Sequence, residues 1–164
     1  MRKRSKKKAS RLPRLELRIP PPVVAALFAV IMWFAGRLLH SLDFDFPGRF
    51  PLIVALVVIG ILIGGIAFSQ FTRARTTVNP VRPQESSVLV TRGVYRWTRN
   101  PMYLGMLIVL VAWAFFVSNA LAFLVLPLFI AYINRFQIQP EERVLRGRFG
   151  TQFDDYCGRV RRWL

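Results

Sequence analysis

Histidine and cysteine each occur once in the 164 residues. A lone Cys157 excludes an internal disulfide, and together with a lone His40 it leaves no cluster with metal-ligand spacing. Nor is there a Ser/His/Asp set, since His40 lies far from other candidate groups and is expected to be an interfacial residue at the end of a span. No Gly-rich phosphate loop of the Walker kind occurs. Acidic residues are scarce too: eight Asp and Glu stand against 24 Lys and Arg, a net charge of +16. What remains is a chemistry of positioning rather than of metal or triad.

What is abundant is apolar residues, 54% of the chain with 13% aromatic, and they are segregated from the charges. The first charge-poor run extends from about Val23 to Leu42 behind Pro20, Pro21 and Pro22, and prolines are tolerated at a helix start. The second runs from Pro51 to Ser69, about the length needed to cross ~30 Å of hydrocarbon. The third, Met102 to Ile133, is too long for one crossing at ~1.5 Å per residue. Ser118 and Asn119 at its middle predict a tight helical hairpin of Met102–Val117 and Ala120–Ile133, kinked at Pro127. Gly60 and Gly64 form a small-xxx-small pair suited to helix packing. The expected fold is therefore an all-α integral membrane protein with about four transmembrane helices.

The charges set the orientation. Residues 1–18 hold nine Lys or Arg, the loop 72–100 six and the tail 135–164 seven, whereas "DFDFPGRF" holds one Arg and two Asp. The positive-inside rule then puts both termini and the long loop in the cytoplasm. Three regions result: a basic arm (1–19) read as a signal anchor's flank that touches anionic lipid, two transmembrane helices (20–71), and a core of loop, hairpin and tail (72–164). The basic arm leaves nucleic acid as a low-ranking partner, since flanking charges serve topology. The long loop carries a β-like patch, Ser87 to Thr91, and its apolar content argues against disorder. The tail reads as an amphipathic helix starting at Pro140, with Glu141 and Glu142 in its first turn and Gly147 and Gly150 as breaks.

Two motifs frame the hairpin: "SSVLVTRGVYRWTRNPMYLG" before it and "EERVLRGRFGTQFDDYCGRV" after it. Together they resemble the isoprenylcysteine carboxyl methyltransferase family, which is related to phospholipid N-methyltransferases, and here its bacterial-type members. Leu89, Val90, Gly93, Tyr95, Arg99, Asn100, Pro101, Tyr103 and Gly105 carry the first half of the pattern. Glu141, Glu142, Leu145, Phe149, Gly150 and Tyr156 carry the second, with Phe153 in place of a Tyr. The likeness covers about residues 80 to 162.

The resemblance implies an S-adenosylmethionine-dependent methyltransferase of a bacterial inner membrane, with a lipophilic or lipidated acceptor, membrane lipids as partners and no metal. It places cofactor binding at Ser87, Val88, Leu89, Val90, Tyr95, Asn100, Pro101, Met102, Tyr103 and Glu141. Adenine calls for apolar and aromatic walls, and a carboxylate suits a helix N-terminus beside Arg99. Arg99 and Glu142 are the expected catalytic residues, Glu142 as proton acceptor should the acceptor be an amine. Many eukaryotic members have His at the positions of Ser87 and Asn100, and an Arg that meets the acceptor at or near Gln137, which leaves the acceptor itself open. Two other readings stand beside this one: a non-catalytic membrane protein whose basic surface binds anionic lipid or a partner, and a relative of sterol reductases, which would have more spans.

Overall fold

A computed structural model describes residues 16–17, 19–73 and 88–164, so most of the basic arm and Ser87 fall outside the described residues. Those described form helices α1 (Pro21–Ala35), α2 (Arg49–Arg73), α3 (Pro101–Val117), α4 (Ala120–Leu124), α5 (Leu126–Ile133), α6 (Gln139–Phe149) and α7 (Thr151–Arg159), with no β-strand among them. Residues 88–91 of the expected β-like patch form no strand.

Two helices are long and apolar enough to cross a membrane: α2, and the continuous run from Ala120 to Phe149. Only 11% of the most apolar stretch of α2 is buried. A core helix of a soluble protein would be mostly buried, so this exposed surface calls for lipid. Helices α1 and α3 are apolar but shorter, at 15 and 17 residues. The expected first span to Leu42 ends early, at Ala35, where Gly36 lies tight against Val117 and the chain turns into a short 3-10 helix, His40–Leu42.

Helix α3 is the central post. Along α2 it is approached at Gly60 and Gly64: a Cβ added to Gly105 would stand 2.6 Å from the Gly60 carbonyl oxygen and 3.1 Å from the Gly64 nitrogen. Along α1 the buried stripe Val24, Phe28 and Met32 follows the i, i+4 spacing and packs into a core with Leu110, Ala114, Phe129 and Ile133. Phe28 meets Phe129 edge-on at 5.4 Å, and the Trp113 indole donates to the Ala29 carbonyl at 2.9 Å.

The hairpin turn forms where Ser118 and Asn119 predict it. Ser118 takes the left-handed conformation (φ 57°) and closes α3, and Asn119 caps α4 by accepting the Leu121 N–H at 2.9 Å. Fully buried, Asn119 also donates to Leu39 O at 2.8 Å and Asp43 Oδ1 at 2.7 Å, tying the α1–α2 loop to the hairpin. Asn119→Ala leaves those acceptors without their donor and removes the cap. The expected cost is about 2–4 kcal/mol, read as a lowered unfolding midpoint in detergent.

The second arm kinks at Val125, just before Pro127, and then departs from the expected end. Pro140 stands in the first turn of α6, but no loop precedes it: α5 passes through a π-helical turn, Asn134–Ile138, straight into α6. Proline lacks the N–H that would bond Phe136 O, four residues back. The N–H of Leu17 takes that place at 3.1 Å. Beside it, Glu16 sits between Arg135, at 2.8 Å, and Arg143, and Gln137 donates to Ile19 O at 2.8 Å. The chain before α1 is thereby fastened to the last long helix. Of the two tail glycines expected as breaks only Gly150 (φ 54°) acts as one, separating α6 from α7, while Gly147 stays helical.

Candidate active site

Helices α1 and α2 each pack on α3 rather than broadly on each other, and between them lies a cavity of about 710 Å³. Its floor on α3 runs from Pro101 to Trp113, about 18 Å at ~1.5 Å per residue. Pro22, Ala25 and Ala29 line one side, and Gly60, Gly64, Phe68 and Phe71 the other. This part is apolar throughout. At the N-terminus of α3 the walls become polar, with Arg99, Asn100, Tyr103, Glu141 and Glu142.

Eleven of the twelve residues singled out in the sequence line this one cavity: Val88, Leu89, Val90, Tyr95, Arg99, Asn100, Pro101, Met102, Tyr103, Glu141 and Glu142. Ser87, the twelfth, is outside the described residues. Gln137 is fully buried and does not line the cavity. The α1 and α2 walls were missed, because small and apolar residues there read only as membrane helix.

The first motif is held by contacts remote in sequence. Tyr95 stacks edge-on against Phe71 at 5.3 Å, and its carbonyl accepts the Tyr156 hydroxyl at 2.7 Å. Residues 98–100 are laced to the chain beyond α7. Arg99 N donates to Arg161 O at 3.0 Å, and Thr98 Oγ1 and Asn100 Nδ2 donate to Arg162 O at 3.2 and 2.9 Å.

The two adjacent glutamates have different surroundings. Glu142 is gripped by arginines: Arg162 bonds both its oxygens, at 2.7 and 3.1 Å, and Arg99 Nη2 stands 3.3 Å away. Expected as a proton acceptor for an amine, it is here bonded to two arginines. Arg99 also donates to Cys157 Sγ, while its buried Nε has no partner. Sequence reading missed Arg162 and Cys157 in this network, since neither has a local signature.

Among the described residues Glu141 has no cationic partner. Its Oε1 accepts the buried Tyr103 hydroxyl at 2.5 Å. The run from Ala120 reaches about 31 Å by Glu141, as far as ~30 Å of hydrocarbon extends, so this carboxyl sits at the surface end of the helix. Burial against the pocket pushes its pKa up to about 8; the Tyr103 hydrogen bond opposes the rise and the neighbouring Glu142 adds to it. It is a carboxyl that changes charge near neutrality, facing a cavity.

Comparison with known proteins points the same way. A sequence profile of the phospholipid methyltransferase family matches residues 50–152, more than half of the chain. An uncharacterized protein of Haemophilus influenzae is 46% identical over 63 residues, 38% of this chain and all of that protein. A probable protein-S-isoprenylcysteine O-methyltransferase of Oryza sativa is 31% identical over 107 residues, 65% of this chain and 56% of that protein. Protein-S-isoprenylcysteine O-methyltransferase B of Arabidopsis thaliana is 28% identical over 137 residues, 84% of this chain and 66% of that protein. The chain thus spans little more than half the length of its rice relative and about two thirds of the Arabidopsis one. The matched region takes in α2, α3, the hairpin, both glutamates and the motif at the mouth of α3, and the chain belongs to the phospholipid methyltransferase family.

Proposed function

We propose that this protein is an integral-membrane, S-adenosylmethionine-dependent methyltransferase whose acceptor is lipophilic and reaches the pocket sideways from the bilayer. In this reading α1, α2, α3 and the second hairpin arm are four spans with cytoplasmic termini, in a bacterial inner membrane. The loop charges and the Haemophilus relative support that placement. The observation that carries the function is one cavity with two halves: an apolar cleft about 18 Å long among α1, α2 and α3, ending on charged groups at the mouth of α3. A lipid chain suits the first half and a polar cofactor the second.

The residues fit that cofactor. The cavity volume falls within the roughly 300–1,000 Å³ of small-molecule sites. Leu89, Tyr95 and Tyr103 offer walls for adenine. The buried Arg99 Nε, without a partner, and the α3 N-terminus favour a carboxylate. Glu141 offers an anion to a cationic group. When bound, S-adenosylmethionine supplies a methyl group on a positively charged sulfur. The chain's own residues align the acceptor, exclude water and shape the field around it. Glu142 acts here as a positioning residue, holding Arg99 and Arg162 in place. A carboxylate acceptor needs no base. For an amine, proton removal falls to Glu141, the glutamate not committed to arginine.

The relatives' names favour an isoprenylcysteine-type carboxylate and the family name a phospholipid amine, and both are lipophilic. The test is transfer of labelled methyl from S-adenosylmethionine into a membrane lipid extract by the reconstituted protein. Label should appear in an organic-soluble product whose mass identifies the acceptor. No transfer to lipids or to a prenylated cysteine, with no cofactor binding in a lipid-containing preparation, would sink the enzyme reading.

A further inference from the structure

We propose that a second site, an open hollow of about 570 Å³ between the Gly93–Arg96 turn and the end of α7, binds the phosphate of an anionic phospholipid. Thr91, Arg92, Gly93, Arg96 and Arg159 line it. This inference does not depend on the methyltransferase reading.

Charge carries the argument. Elsewhere on this side of the protein five arginines have carboxylate partners: Arg99 and Arg162 share Glu142, Arg135 and Arg143 share Glu16, and Arg146 meets Asp154 at 2.7 Å. Arg92 and Arg96 have no ion pair or hydrogen bond with any described residue. Arg159 uses only its Nε, toward Asp155 O at 3.2 Å. Three arginines thus line one hollow with no carboxylate among its lining residues, and a bound anion would relieve their mutual repulsion. A guanidinium fork matches phosphate oxygens in pairs, and the Thr91 hydroxyl adds a further donor.

Depth decides the source of the phosphate. The turn rests on α2 at Gln70, which stands close to Gly93. Gln70 lies about 31 Å along the helix from Arg49, one hydrocarbon thickness, so the hollow is at headgroup level. Trp97, next to Arg96, is 79% exposed, and an amphipathic indole in that position suits the membrane interface. Tyr156 lines both this hollow and the large cavity, so a headgroup would sit one side chain away from the pocket.

The experiment titrates the full chain, in neutral detergent, with phosphatidylglycerol or phosphatidylcholine and counts bound lipid by native mass spectrometry. Phosphatidylglycerol should bind more tightly, and Arg92→Gln with Arg96→Gln should weaken it roughly 10- to 30-fold. Arg159→Gln alone should weaken it several-fold. A control pair outside the hollow, Arg73→Gln with Arg161→Gln, removes the same charge and should change affinity less than about threefold. Failure of millimolar inorganic phosphate to displace the lipid supports a headgroup site. Displacement by phosphate at that level assigns the hollow to a soluble phosphate and overturns the lipid assignment. Equal weakening by both pairs overturns the site altogether.

Discussion

Replacing Glu141 by glutamine should weaken binding of S-adenosylmethionine about 30-fold at pH 8.5 and remove the dependence of that binding on Glu141 ionisation. The magnitude is that of one charge-assisted contact, about 2 kcal/mol. The sign follows from the carboxyl's pKa of about 8, well above its ordinary value. In the empty pocket at pH 6.5 Glu141 is almost wholly protonated, and a cation must displace that proton to gain the carboxylate. Between pH 6.5 and 8.5 the ionised fraction grows about 25-fold, and affinity should grow with it before levelling off above about pH 9. Glutamine keeps an oxygen for the Tyr103 hydroxyl, so the fold is retained and only the charge is lost. Calorimetry at the two pH values, on wild type and variant, reads both effects. The cofactor's own amine titrates equally against both proteins, so the difference between them isolates Glu141. A variant that binds as tightly as wild type at pH 8.5 would remove Glu141 from the site.

Gly105→Val should be the most damaging single change within the membrane. The new Cβ would meet backbone at Gly60 and Gly64, and neither can move aside as a flexible side chain would. Helices α2 and α3 must separate, at a cost of about 3 kcal/mol, and the cavity they share deforms with them. The expected outcome is a lower unfolding midpoint together with loss of cofactor binding. Gly65→Ala is the control: a Cβ there meets nothing within 4 Å, and alanine is the better helix former. Equal effects from both would show that general glycine content matters rather than this crossing.

Legibility in the sequence followed the range of the interaction. The hairpin turn was readable because its chemistry is local: Ser118 closes one helix and Asn119 caps the next. The Gly150 break and the glycine pairing of α2 with α3 are also short-range or pattern-borne. The pocket-lining positions came from two spaced motifs, and eleven of them do share one cavity. Pro140 marks the first turn of α6, as its rule is local, but the helix before it runs on because the compensation is not local: Leu17, far back in the chain, supplies the missing N–H. Glu142 reads as a proton acceptor until Arg99 and Arg162, from either side of the hairpin, are brought to it. The apolar walls of α1 and α2 were invisible as a site because membrane packing asks for the same small residues.

The passage of α5 through its π-helical turn into α6 has a mechanical meaning. From Ile133 to Glu141 the rod extends about 12 Å without a break. A tilt of ten degrees in the crossing half would swing the two glutamates by about 2 Å, a large displacement for groups that hold ligands by hydrogen bonds. Helices answer bilayer thickness by tilting. A tilt of this rod in a bilayer of different thickness would therefore carry the two glutamates with it, and Glu16, held between Arg135 and Arg143, would resist that tilt.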